Sequence, residues 1–79
     1  MEIQTGSVVY SKAGRDKSNI LLVLSVEDGY AYVADGNLRK VDKLKKKKLK
    51  HLQKTNQVFE IGDNLTNSDI RKILAKCNN

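Results

Sequence analysis

The residues best suited to chemistry in this chain are basic, and most of them lie in one segment. Between Arg39 and Lys54 the sequence has nine basic residues and one acidic residue, Asp42. The rest of the chain carries a small excess of acid, although the whole chain has a net charge of +6. A local concentration of positive charge attracts polyanions. The sequence therefore predicts a polyanionic partner that binds through this basic segment.

Catalytic chemistry has little support in the sequence. The chain has one histidine, His51, and one cysteine, Cys77, and its carboxylates are scattered. A nucleophile or a general base needs a partner group, and a closed zinc site needs four ligands. No glycine-rich phosphate-binding motif is present. We therefore expect no enzymatic activity, no cofactor, no metal ion and no small-molecule substrate.

The chain length of 79 residues allows one small domain. The longest apolar run, Ile20 to Leu24, is far shorter than the roughly 20 residues of a membrane span. The first residues have neither the basic start nor the apolar stretch of a signal peptide. Cys77 has no second cysteine with which to form an internal disulfide, which is typical of a reducing compartment. We expect a cytoplasmic protein with no membrane partner.

Short apolar runs separated by turn-forming residues predict a small all-β fold. The Asp28-Gly29 pair is a strong hairpin signal, because both central residues of a type I′ turn need a positive φ. The four-lysine run 45–48 repels itself, and we expect a loop or an extended segment there. The predicted strands lie at residues 8–10, 20–26, 30–34 and 38–41, with a weak fifth strand at 49–54.

A helix is predicted at about residues 68–77, after a segment in which Val58, Phe59 and Ile61 dock back onto the β-domain. Its apolar residues form one stripe at helical spacing: Ile70, Ile73, Leu74 and Cys77. Asn67 or Ser68 is the expected N-cap. The organisation is then a β-domain at 1–56, which contains the basic segment 39–54, and an extension at 57–79. The sequence leaves open whether the helix packs on the β-domain or binds a partner.

Two blocks of the sequence resemble the KOW motif, a strand, a loop and a second strand. The first block is GSVVYSKAGRDKSNILLV at 6–23, and the second is DGNLRKV at 35–41, followed by the lysines. The blocks look like those of stand-alone bacterial, ribosomal-protein-like KOW proteins, and the resemblance covers roughly residues 6–54. The chain has Ser18 where the motif usually has a glycine after the loop lysine.

The resemblance implies an SH3-like β-barrel that binds RNA, commonly ribosomal RNA, through the loop between the first two strands. In this sequence that loop contains Lys12, Gly14, Arg15, Asp16 and Lys17. Lysine contacts to phosphate carry no sequence information, so we expect recognition of RNA shape. Together with the basic segment, the expected RNA-binding residues are Lys12, Arg15, Lys17, Arg39, Lys40, Lys43, Lys45, Lys46, Lys47, Lys48, Lys50 and His51.

Other interpretations of the same residues stay open. The chain could be a protein-interaction module that docks an acidic surface of the transcription or translation machinery, and the basic segment could be a solvated surface. DNA binding is a weaker alternative, because no helix carries base-reading residues. Tyr30 and Tyr32 point to one face of a strand and could stack on bases, although tyrosines in strands are more often half-buried core.

Overall fold

The computed structural model of the chain describes residues 2–12 and 19–77. In these residues it has five strands and one α-helix: β1 Ser7–Ser11, β2 Ile20–Glu27, β3 Tyr30–Ala34, β4 Lys45–Lys48, β5 Leu52–Val58 and α1 Asn67–Cys77. The strands form one antiparallel sheet in the order β4-β3-β2-β1-β5. The predicted class, mainly β with a C-terminal helix, is therefore confirmed. Within the described ranges, no helix is long and apolar enough to cross a membrane.

The hairpin between β2 and β3 forms where the sequence predicts it. Asp28 and Gly29 have φ angles of 51° and 82°, and Glu27 lies directly opposite Tyr30. Two consecutive positive φ angles give the chain reversal whose twist matches the flanking strands. This turn sets the register of β2 against β3. Side chains alternate along β3, so Tyr30 and Tyr32 lie on one face.

The sheet is strongly curled. Its two edge strands, β4 and β5, are joined only by the three-residue 3-10 turn Leu49–His51. In a flat sheet, four steps of about 4.8 Å would separate the edges by roughly 19 Å, whereas a three-residue 3-10 turn rises only about 6 Å. The two edges must therefore approach each other. A register shift between Val23 and Ser25 adds a bend to β2.

Curling gives the sheet an inner face and an outer face, and β2 contributes apolar side chains to both. The inner cluster contains Val9, Leu21, Val23, Ala31, Val33 and Leu52. The outer cluster contains Val8, Leu22, Ala34, Ile70 and Leu74. The first half of β2 is therefore buried on both of its faces.

Helix α1 packs on the outer face of the sheet, which answers the question that the sequence leaves open. All four residues of the predicted apolar stripe, Ile70, Ile73, Leu74 and Cys77, belong to the outer cluster or pack against it. The predicted N-cap is wrong by one or two residues. Thr66 Oγ1 accepts a hydrogen bond from the Asp69 amide at 3.1 Å, and the Thr66 amide donates to Asp69 Oδ2 at 3.0 Å. This reciprocal pair is a capping box.

Two of the predicted strands differ in the structure: one begins later than predicted, and the other does not form. Residues 49–51 form the 3-10 turn, so the fifth strand begins later, at Leu52. Residues 38–41 form no strand, because side chains that lie close in space accept hydrogen bonds from backbone amides of this segment. Asp35 Oδ1 accepts hydrogen bonds from the amides of Asn37 and Arg39, each at 2.8 Å, and Asn67 Oδ1 accepts from the Val41 amide at 2.7 Å. Of the segment expected to dock back, Phe59 and Ile61 pack against the outer cluster, whereas Val58 is 45% exposed.

Candidate nucleic-acid interface

The four-lysine run is extended, which is one of the two predicted alternatives, and it forms strand β4. Its residues pair with β3, so that Lys48 lies opposite Tyr30, Lys47 opposite Ala31, Lys46 opposite Tyr32 and Lys45 opposite Val33. Pairing with β3 supplies backbone hydrogen bonds that a local estimate of charge repulsion does not include. Because side chains alternate along a strand, the run is divided between the two faces of the sheet.

On the outer face, two lysines and two tyrosines form a compact group. Lys46 and Lys48 are exposed, Tyr30 and Tyr32 are half-buried, and the register places all four side chains on one side of the β3–β4 pair. The Lys46 Nζ atom lies 4.3 Å from the centroid of the Tyr30 ring. We call these four residues the tyrosine–lysine face. It presents positive charge and aromatic rings together.

On the inner face, Lys47 has a structural contact. Its ammonium donates a hydrogen bond of 2.9 Å to the hydroxyl of Ser11, which is only 2% exposed. Ser11 is the last residue of β1, so this bond connects strands that are not neighbours in the sheet. Lys47 therefore helps to hold the curl, whereas Lys46 and Lys48 project from it.

The start of the loop between β1 and β2 lies beside the end of the basic segment. The Lys12 amide donates a hydrogen bond of 2.7 Å to the His51 carbonyl. Lys12, Lys50 and Lys54 line a surface groove of about 510 Å³ whose apolar lining includes Leu49 and Leu52. The sequence analysis counted Lys54 in the basic segment without assigning it to the site. The other two predicted loop residues, Arg15 and Lys17, lie outside the described residues.

The remaining basic residues occupy the connection between β3 and β4. The Arg39 carbonyl accepts hydrogen bonds from the amides of Asp35 and Gly36, at 2.9 and 3.0 Å. Lys40 and Lys43 are exposed, and the Lys43 amide donates to the Lys40 carbonyl at 3.0 Å. This connection is also held to α1, because Arg71 Nη1 donates to the Gly36 carbonyl at 2.5 Å.

The far end of the β1–β2 loop meets this connection. Asn19, the first residue described after the loop, lines a groove of about 450 Å³ with Asp35, Asn37 and Leu38. One side of the loop therefore begins at the 3-10 turn, and the other side ends at the connection that carries Arg39. The basic residues of segment 39–54 therefore lie in the β3–β4 connection, along β4, in the 3-10 turn and in β5.

The two side chains most suited to nucleophilic or acid–base chemistry lie in different elements, Cys77 at the end of α1 and His51 in the 3-10 turn. Cys77 packs against the outer cluster, and its thiol donates to the Ile73 carbonyl at 3.5 Å. Burial raises the pKa of this thiol, which keeps it protonated. His51 is the last residue of the 3-10 turn that directly precedes β5. Within residues 2–12 and 19–77, no three His, Cys, Asp or Glu side chains form a group that could hold a metal ion.

Comparison of this chain with protein-family models and with curated proteins finds no match.

Proposed function

We propose that this chain is a non-catalytic RNA-binding protein with an SH3-like barrel of the KOW type. Its ligand is structured RNA, most simply ribosomal RNA, in the cytoplasm. The strand order supports the barrel: three consecutive strands form a meander, β5 pairs with β1, and the edge strands are joined by a three-residue turn.

One observation carries the functional proposal. One described end of the β1–β2 loop contacts the basic segment, because the Lys12 amide donates a hydrogen bond of 2.7 Å to the His51 carbonyl. At the other end, Asn19 lines a groove with Asp35, Asn37 and Leu38, which lead directly into Arg39. The loop that the KOW resemblance implicates and the basic segment are therefore neighbours in space. A phosphate backbone that crosses the loop would meet Lys12 and Lys50 on one side and the residues around Arg39 on the other.

Electrostatics favours a phosphate backbone as the ligand of this surface. Apart from Lys47, the lysines of β4 and of the 3-10 turn are exposed, and the net charge is concentrated between residues 39 and 54. Lysines that neutralise phosphates release counterions, which makes the affinity depend steeply on salt. The same lysines make contacts that position the RNA without reading its bases.

The test compares two double variants that each remove two positive charges. Lys46→Gln/Lys48→Gln alters the tyrosine–lysine face, and Lys72→Gln/Lys76→Gln alters exposed positions on α1. Binding to a ribosomal RNA fragment is measured by fluorescence anisotropy over a range of salt concentrations. The first variant should reduce the slope of log affinity against log salt by about 0.7 to 0.9 for each lost phosphate contact. The second should leave the slope nearly unchanged.

Equal losses in the two variants would show that binding follows net charge alone, and the proposed site would be wrong. The protein-interaction alternative makes a different prediction. A partner captured from lysate would be retained after RNase treatment, and its binding would be insensitive to the changes in β4.

A further inference from the structure

The tyrosine–lysine face has a feature that phosphate binding does not require. Tyr30 and Tyr32 belong to neither core cluster, although both lie in the middle strand of the β2-β3-β4 part of the sheet. Each tyrosine has an exposed lysine directly opposite on β4. A surface that needed only to attract phosphates would have no use for half-buried rings between its lysines.

Aromatic rings on an open sheet face can stack on nucleic-acid bases, and neighbouring ammonium groups can then contact the phosphates. In this chain, Lys46 Nζ lies over the Tyr30 ring, 4.3 Å from its centroid. A base that stacked on this side of the ring would displace the ammonium. An exposed cation–π contact changes an equilibrium by about 2- to 5-fold, whereas stacking of one base contributes about 5- to 150-fold. Stacking of a base on Tyr30 is therefore favoured over the cation–π contact. The displaced Lys46 ammonium remains close enough to contact the phosphate.

The spacing of the two tyrosines favours unpaired RNA bases over duplex RNA. Residues two apart on a strand have side chains about 6.7 Å apart, which is roughly twice the 3.4 Å separation of successive base pairs in a duplex. Neighbouring bases reach both rings only when they are unstacked from each other. Bases inside a duplex have no accessible ring face at all. Glu27 lies directly opposite Tyr30 on β2, at the hairpin end of the same face, whereas the uncharged Ser25 lies opposite Tyr32.

We propose that the tyrosine–lysine face binds unpaired RNA bases by stacking on Tyr30 and Tyr32, while Lys46 and Lys48 hold the flanking phosphates. This inference rests on the proposed RNA-binding function and extends it: the chain binds a single-stranded loop, bulge or end. The duplex parts of the same RNA would be held by lysine contacts elsewhere on the surface.

The test uses two RNA probes and two matched double variants. The probes are a ten-nucleotide oligouridine and a ten-base-pair RNA duplex, each at the same salt concentration. Tyr30→Leu/Tyr32→Leu removes both aromatic faces and keeps apolar side chains, whereas Tyr30→Phe/Tyr32→Phe keeps the rings. The leucine variant should lose about 5- to 150-fold in affinity for oligouridine for each ring that stacks. Its affinity for the duplex should change by less than about 2-fold, and the phenylalanine variant should bind both probes like the original chain.

Tyrosine fluorescence provides a readout that a merely structural role would not change. The chain has three tyrosines and no tryptophan, so stacking should quench its emission on binding oligouridine, and Tyr10 remains as an internal reference in the leucine variant. Circular dichroism establishes that both variants are folded. Equal losses on the two probes, or undiminished oligouridine binding by a folded leucine variant, would overturn this inference alone. If the original chain bound neither the oligouridine nor the duplex, the proposed function would be overturned as well.

Discussion

The outer face of the sheet has two parts that differ in their use. In one part, Val8, Leu22 and Ala34 are fully buried beneath α1. In the other part, two and four residues before Ala34 along β3, Tyr32 and Tyr30 are half-buried and have exposed lysines beside them. The same strand therefore supplies core at one end and the proposed binding surface at the other. The difference depends on how far the C-terminal helix extends over the sheet.

The largest expected effect on the free energy of unfolding comes from creating a cavity in the part of the sheet that α1 covers. Ile70 is fully buried in the outer cluster. Ile70→Ala should lower the free energy of unfolding by about 2–5 kcal/mol, because it removes buried methyl groups and leaves a cavity. Urea denaturation measures this loss. In the open part, Lys48→Ala should change the same quantity by no more than about 0.5 kcal/mol. A loss below about 0.5 kcal/mol for Ile70→Ala would mean that α1 contributes little to the core.

A pair of glycines sharpens the comparison, because both have a positive φ and only one lies under the helix. A Cβ atom on Gly36, whose φ is 79°, would overlap the Asn67 carbonyl oxygen and approach Arg71 Cγ to 3.0 Å. A Cβ atom on Gly29, whose φ is 82°, would meet nothing within 4 Å. Gly29→Ala should cost about 1–2 kcal/mol for the backbone conformation alone. Gly36→Ala should cost roughly 1–3 kcal/mol more, because the helix must move.

Thermal or urea unfolding of both alanine variants checks this expectation. Equal losses would show that the contact between the β3–β4 connection and α1 is loose enough to accommodate a methyl group.

The smallest effect is a dependence on pH at the start of the helix. Hydrogen bonds with the amide and hydroxyl groups of Thr66 lower the pKa of Asp69 from its ordinary value of 3.8. A lowered pKa means that the carboxylate stabilises the fold above pH 3.8, and that this contribution disappears as the pH falls through the lowered pKa. Asp69→Asn should therefore lower Tm at neutral pH and have little effect in strong acid.

The pH profile of the Tm difference between the two chains is the measurement. In a Thr66→Val background the Asp69→Asn effect should become smaller but remain, because only the hydroxyl is lost and the residue 66 backbone amide still donates to Asp69 Oδ2. A Tm difference that stayed constant down to pH 2 would contradict this account.

Local sequence patterns predicted those elements whose stabilising contacts are themselves local. The Asp28-Gly29 hairpin needs two particular φ angles, and the stripe of Ile70, Ile73, Leu74 and Cys77 needs only helical spacing. The choice of Thr66 as N-cap depended on competition among neighbouring polar side chains, because Asn67 binds the Val41 amide instead. That contact joins residues 26 positions apart, so it cannot be read from a local pattern.

The candidate site likewise has features that the local sequence predicts and features that depend on contacts with distant residues. The basic segment was evident from composition, but its arrangement was not. The lysine run could be recognised as a strand only with knowledge that β3 supplies its hydrogen-bonding partner. The opposite roles of Lys46 and Lys47 follow from strand alternation once that pairing is known. Residue spacing did place Tyr30 and Tyr32 on one face, but it could not show that this face is left uncovered by α1.

The position of β4 at the edge of the sheet has a consequence for how two copies of this chain meet. An edge strand has backbone groups that can pair with a second sheet, which is a common route to aggregation. Here every residue of that edge, Lys45–Lys48, carries a positive charge. Two such edges that approached each other would bring together two strands of four like charges each, and their mutual repulsion opposes edge-to-edge pairing of the sheets. The lysines of the proposed RNA-binding surface therefore also oppose pairing of two copies through this edge strand.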